Sequence, residues 1–131
     1  DRFNAAVAAK PVINWISKTL TADSMVGQIY HQFPGPPWEN LEHYWERSPL
    51  SLVGNVTTPT MLLTGEEDRR TPISETEQFY QALRLQGVES AMVRLPDTSH
   101  GIADRPSRLI AKVDHILAWF ERYRTDKDQG N

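Results

Sequence analysis

Apolar residues along this chain gather into three short runs, a sparse middle region and one helical stripe near the end. Thr60 to Thr64 and Ser90 to Leu95 are rich in Val, Met and Leu and lack period-two alternation, the pattern of strands covered on both faces of a parallel sheet. Ala5 to Ile13 predicts a third strand. Between the second and third runs the pattern changes to a helical one. Ser74 and Glu77 have capping-box spacing, Phe79, Ala82 and Leu83 form an apolar stripe, and Gly87 stands where a helix should stop. This is a strand, helix, strand unit. A final helix is expected from Pro106 to about Tyr123, with Leu109, Val113, Ile116, Leu117 and Phe120 on the face turned to the sheet.

The stretch from Ile16 to Thr58 is read as an excursion between strands. It holds a Pro34-Gly35-Pro36-Pro37 break and two weakly amphipathic helical segments, Ala22 to His31 and Trp38 to Arg47. Trp38, Tyr44 and Trp45 serve either as a local core or as a surface for another domain. The fold class is therefore α/β, a parallel sheet of about three strands with flanking helices over residues 1–124, followed by a polar tail at 125–131.

Composition narrows the function classes. The net charge of -3 comes from interspersed acidic and basic residues, which leaves no basic stripe for nucleic acid and no polybasic membrane anchor. The apolar run Ala5 to Ala9 is too brief for a membrane span. Without cysteine there is no disulfide, thiolate metal site or cysteine nucleophile, and a cytoplasmic location is the expectation. His31 and His43 lie near Glu42 and Glu46 but without metal-ligand spacing, so neither a metal nor a cofactor is expected.

In a parallel sheet the loops after Thr64 and Leu95 leave the same carboxyl edge, where open α/β sheets place their ligand sites. The first loop reads Gly65-Glu66-Glu67-Asp68-Arg69-Arg70-Thr71-Pro72 and the second Pro96-Asp97-Thr98-Ser99-His100-Gly101. An imidazole acting as general base must be held in one tautomer, and a carboxylate on one ring nitrogen does this. Asp68 and His100 suit those roles, and acid before histidine is the α/β-hydrolase order. Order and spacing alone leave open that Asp68 is a turn residue and His100 a loop histidine.

The run Ser48-Pro49-Leu50, then Thr58 through Pro72, then Glu77-Gln78-Phe79-Tyr80-Gln81-Ala82-Leu83, Gly87-Val88-Glu89 and His100-Gly101, resembles the prolyl oligopeptidase family in its acylaminoacyl-peptidase-like branch. The resemblance covers nearly the whole chain and implies the C-terminal part of an α/β-hydrolase catalytic domain, with Asp68 as triad acid and His100 as triad base. Asp1 to Val7 and Pro11-Val12-Ile13-Asn14-Trp15 are similar to the segment after the nucleophile helix. There the residues matching Val12 and Trp15 line the apolar pocket for the residue before the scissile bond, and Arg70 and Thr71 are candidates for the pocket wall. Plain core packing remains the alternative for Val12 and Trp15, while Arg70 and Thr71 are read as exposed loop residues.

The nucleophile of this family sits in a Gly-x-Ser-x-Gly elbow, and none of the eight serines has those flanking glycines. Ser99, beside His100 in the chain, is poorly placed for attack by that ring. The expectation is a fragment of a serine peptidase acting on short or N-acylated peptides, inactive alone because the nucleophile lies upstream. The partners expected are a peptide substrate and the missing upstream part. An unpaired edge at the first strand makes dimerisation or element exchange a further expectation. The alternatives are a fragment of an esterase-type α/β-hydrolase and a non-catalytic binding or assembly module.

Overall fold

The computed structural model describes residues 2–124, so the tail expected at 125–131 lies outside the described residues. Strands β1 (Ala6–Ala9), β2 (Thr60–Gly65) and β3 (Ser90–Leu95) form one parallel sheet in the order β1-β2-β3. The expected fold class is what is found. Pairing runs from Thr60 opposite Ser90 to Gly65 opposite Leu95, so β2 and β3 end level and release their loops side by side.

Every residue of β2 is buried, which accounts for its lack of alternation. Leu62 and Leu63 are wholly enclosed, each contributing about 1.5–3 kcal/mol. In β3, by contrast, only Leu95 is buried and Arg94 is exposed. The similar apolar run there belongs to an edge strand, not to one covered on both faces. Strand β1 is also shorter than the expected Ala5 to Ile13. Lys10 takes a left-handed conformation (φ 54°), and Pro11 has no N–H to continue a ladder. Val12 and Ile13 therefore follow the strand instead of extending it.

Helix α4 (Ile73–Leu85) makes the crossover from β2 to β3, with Leu83 fully buried. Its end is as expected. Gly87 sits at φ 72°, its N–H donates to Arg84 O at 3.0 Å, and the Val88 N–H donates to Leu83 O at 3.0 Å, a Schellman closure. The beginning differs: Pro72 is the N-cap and no side chain caps it. The expected capping box fails because Ser74 already lies inside the helix, while Glu77 reaches Arg94 on β3 at 3.2 Å.

The middle region contains three short helices, α1 (Trp15–Thr21), α2 (Met25–His31) and α3 (Leu41–Arg47), and a 3-10 stretch, Pro49–Asn55. The second and third match the expected segments with later starts. The first went unseen because seven residues with two threonines carry little helical signal of their own. Tyr44 is fully buried and stacks on Phe33 (centroids 4.0 Å apart) while Trp38 and Trp45 are exposed. The excursion thus has an aromatic core and an aromatic surface.

Helix α5 (Pro106–Arg122) runs as expected but presents a different face. Ala111 packs against the cluster of Leu63, Leu95 and Ile102, and Trp119 is buried. Leu109, Val113, Leu117 and Phe120, expected against the sheet, are exposed, and Ile116 is half-buried. The helix is apolar around more of its circumference than three strands can cover. None of the helices among the described residues is long and apolar enough to cross a membrane.

Candidate active site

The carboxyl ends of β2 and β3 are joined backbone to backbone before any side chain meets. The Glu66 N–H donates to Leu95 O and the Glu67 N–H to Thr98 O, both at 3.0 Å. Gly65 makes this closeness possible. A Cβ built there would stand 2.1 Å from the Thr98 carbonyl oxygen, which no ordinary contact permits. In the second loop, Asp97 adopts the left-handed region (φ 48°), one residue ahead of the Thr98 carbonyl that meets Glu67.

Asp68 is buried, and its carboxylate is fixed by its own loop. Oδ1 accepts the N–H groups of Arg70 (2.9 Å) and Thr71 (2.8 Å), and Oδ2 accepts the Thr71 hydroxyl (3.0 Å). His100 comes in from the neighbouring loop, with Nδ1 2.8 Å from Oδ2 and 3.1 Å from Oδ1. The Thr71 oxygen is also 3.3 Å from Nδ1. Because its hydroxyl hydrogen goes to Oδ2, the Nδ1–H is left to the carboxylate, and Nε2 is the nitrogen free to accept a proton. The His100 side chain is 42% exposed while that of Asp68 is fully enclosed. One half of the pair is anchored and the other faces outward.

Lys10 adds a third strand to the junction. Its ammonium donates to the His100 carbonyl at 3.0 Å, and its backbone N–H donates to Leu63 O at 2.8 Å. The left-handed turn that ends β1 thus aims a lysine at the histidine loop. Sequence inspection missed this residue because nothing in its local pattern distinguishes it from a surface lysine.

A cleft of about 410 Å³ opens beside His100, lined by Asp23, Glu67, Arg69, Arg70 and Ser99. Arg70 is exposed and pairs through Nε with Asp23 Oδ1 at 2.7 Å. That hydrogen bond, and then the guanidinium charge, hold the Asp23 carboxyl below its ordinary range. The Asp23 N–H also donates to Arg69 O at 2.9 Å, so the linker between α1 and α2 is tied to the acid loop. Of the four residues singled out for the pocket wall, Arg70 lines this cleft, Thr71 lies on the carboxylate, and half-buried Val12 and Trp15 stand outside the cleft. Ser99 lines the cleft, and its hydroxyl donates to Asp104 Oδ2 at 3.2 Å.

The segment carrying Val12 and Trp15 is held by residues that sequence reasoning passed over. Glu75, wholly buried on α4, accepts the N–H groups of Ile13 (3.1 Å) and Asn14 (2.9 Å) at one oxygen and the Ser17 hydroxyl (2.5 Å) at the other. Ser48 accepts the Trp15 N–H at 2.9 Å and donates to Tyr44 O at 2.8 Å. The Asn14 side chain accepts the Ile16 N–H at 3.0 Å. The available signal was the placement of Glu75 four and eight residues before Phe79 and Leu83, a carboxylate on an apolar stripe. Among the described residues, no group of three or more His, Asp or Glu could hold a metal ion.

The geometry pairs an enclosed carboxylate with an outward-facing imidazole at the carboxyl edge of the sheet. The model of the prolyl oligopeptidase family matches residues 1–127. The uncharacterized peptidase YuxL of Bacillus subtilis is 36% identical over 127 residues, covering 94% of this chain and 19% of the relative. The acylamino-acid-releasing enzyme of Arabidopsis thaliana is 34% identical over 130 residues, covering 94% and 17%. The solved acylaminoacyl peptidase of Pyrococcus horikoshii superposes with a TM-score of 0.86 at 26% identity, over 94% of this chain and 20% of that one. The chain spans about a fifth of the length of the curated relatives it matches. With its parallel sheet and its sequence both matching, this chain carries part of an α/β-hydrolase fold and belongs to the prolyl oligopeptidase family.

Proposed function

We propose that this chain supplies the acid and the base of a serine peptidase that hydrolyses short or N-acylated peptides, and that the nucleophilic serine comes from a segment outside these 131 residues. The single observation that carries the proposal is the 2.8 Å contact between His100 Nδ1 and the enclosed Asp68 carboxylate, which leaves Nε2 as the nitrogen to accept a proton. Family membership supports serine peptidase chemistry, and the named relatives support acylated peptides as the substrate class.

In the proposed reaction the serine hydroxyl attacks the scissile carbonyl while His100 Nε2 takes its proton. Asp68 stabilises the imidazolium that results. The proton passes to the leaving amine as the C–N bond breaks, and water, deprotonated by the same nitrogen, then releases the acyl group from serine. Val12, Trp15, Arg70 and Thr71 are proposed to lie around the side chain that precedes the scissile bond. The 131-residue chain alone is proposed to be inactive, because the acid and base have no nucleophile to activate.

The free edge of β1 and the exposed face of α5 adjoin, since Asn4 and Ala5 share a groove with Leu117, Phe120 and Tyr123. That flank is proposed as the seat of the nucleophile-bearing segment, with pairing between two copies as the competing use of the same edge. The test is hydrolysis of acyl-aminoacyl and peptidyl p-nitroanilides by the full-length polypeptide and by residues 1–131 alone. Hydrolysis by the first, lost in His100→Ala, and none by the second is expected. Fluorophosphonate labelling of residues 1–131 alone would overturn the division of the triad. Hydrolysis of simple acyl esters but of no anilide would favour the esterase alternative.

A further inference from the structure

We infer that Glu75 is a positioning residue for substrate selection, acting through the Ile13–Asn14 segment on Val12 and Trp15. The inference rests on the reading of those two residues as pocket wall and adds the group that sets their place. Glu75 is 0% exposed, and each of its hydrogen-bond partners is neutral: two backbone N–H groups, the Ser17 hydroxyl and, at 3.4 Å, the Gln78 amide. A carboxylate taken out of water is costly unless its lone pairs are filled. Here they are filled by one short segment 61 and 62 positions earlier in the chain. A polar side chain so placed selects a single position for that segment, where an apolar residue of the same size would only fill space.

Two further observations connect this clamp to the acid loop. The first four N–H groups of the α1 entry are all taken: Ile13 and Asn14 by Glu75, Trp15 by Ser48, Ile16 by Asn14. At the far end of α1, the Asp23 N–H and carboxylate are held by Arg69 and Arg70 beside His100. Helix α1 is therefore suspended between Glu75 and the acid loop. Glu75 itself sits on the helix that leaves that loop, seven residues after Asp68. The position of Trp15 relative to Asp68 is thus set through Glu75. The Trp15 ring lies tilted against Phe33, with ring centroids 5.3 Å apart.

The experiment compares, in the full-length polypeptide, kcat and KM for peptidyl p-nitroanilides with phenylalanine or alanine before the scissile bond. Glu75→Ala is expected to lower the phenylalanine-to-alanine ratio of kcat/KM about tenfold, since small displacements near a bound substrate have effects of this size. The fall should come mainly in KM, with the pH profile of kcat unmoved. Glu75→Gln keeps an oxygen for the two N–H groups and a donor for Ser17, and is expected to stay within about threefold of the parent. In a Trp15→Ala background the effect of Glu75→Ala on the ratio should vanish, which a general loss of stability would not produce. Should Glu75→Ala fail to fold, Glu75→Asp, one methylene too short to reach the segment, takes its place. An unchanged ratio in the folded variant, or an equal fall for both substrates, overturns the inference while leaving the peptidase reading intact. A parent polypeptide that hydrolyses neither anilide overturns that reading and this inference together.

Discussion

The junction between β2 and β3 and the flank formed by β1 and α5 treat their exposed groups in opposite ways. At the junction, backbone donors from one loop meet carbonyls from the other, and the Asp68 carboxylate has all its lone pairs engaged. At the flank, β1 is a sheet edge, and Leu109, Ile110, Val113, Leu117 and Phe120 remain exposed on a helix whose other side carries buried Trp119 and half-buried Ala111. The acid and histidine need nothing beyond this chain to meet. The flank, by contrast, leaves a row of apolar side chains 42–61% exposed. The proposed chemistry and the proposed assembly surface thus fall on different sides of the same three strands.

The sharpest way to break the junction is to keep its shape and spoil its electrostatics. Asp68→Asn retains Oδ1 for the Arg70 and Thr71 N–H groups but presents an amide donor toward Nδ1. That favours the wrong imidazole tautomer and removes the charge that steadies the imidazolium. A fall in kcat of roughly 10³ to 10⁴ is expected in the full-length polypeptide, with thermal stability little changed. Activity within tenfold of the parent would remove Asp68 from the proposed triad.

Gly65→Ala attacks the same junction through its backbone. The new methyl group has no space before the Thr98 carbonyl, so the loops must part or the variant must absorb strain. A loss of about 3 kcal/mol or more in urea unfolding is expected, among the large values that a core clash produces. A loss below about 1 kcal/mol would show that the loops are less tightly set than their hydrogen bonds indicate.

The two sides of α5 provide the matching test on the flank. Trp119→Ala empties a buried site and should cost about 3 kcal/mol. Leu117→Ala, two residues away on the exposed side, should change unfolding of residues 1–131 by about 0.5 kcal/mol or less. On the proposed seating of the nucleophile-bearing segment against this flank, Leu117→Ala should cost more in the full-length polypeptide. Equal costs for Leu117→Ala in both contexts would mean that the flank stays open in the larger protein.

How far the sequence could be read follows the same division. Strand β2, helix α4 with its Gly87 stop, and the acid and histidine loops were legible because each is local: a run, a stripe, a turn residue, an ordered pair. Side-chain direction on α5 was not, because a helix apolar on two sides does not state which side this sheet covers. The end of β1 was missed because a left-handed lysine has no local signature. Helix α1 was missed because it is short and because, beyond its local N-cap Asn14, the groups that hold its entry are Ser48 and Glu75, 34 and 61 positions further along the chain. Polar contacts that span the fold leave no periodicity in the chain.

Lys18, on α1 beside the junction, tests that side of the molecule through a buried charge. It is 2% exposed on α1, its ammonium 3.4 Å from the Ser24 hydroxyl and 5.6 Å from the Trp15 ring. Burial, and then repulsion from Arg70, lower its pKa below 10.5 against the pull of Asp23, Glu75 and Asp68. The unfolded chain therefore holds this proton more tightly than the folded one. Below both pKa values the penalty for burying the charge is fully present and stability does not vary with pH on its account. Between the folded value and 10.5 the unfolded state binds more protons, so stability rises with pH; above both, the penalty is gone. Lys18→Met should abolish that rise and leave the protein more stable at neutral pH by about 1 kcal/mol. Urea unfolding of both proteins along a pH series measures the difference. A slope that survives in Lys18→Met would belong to another group, and a loss of stability at neutral pH would mean that the three carboxylates hold Lys18 in place more strongly than burial opposes it.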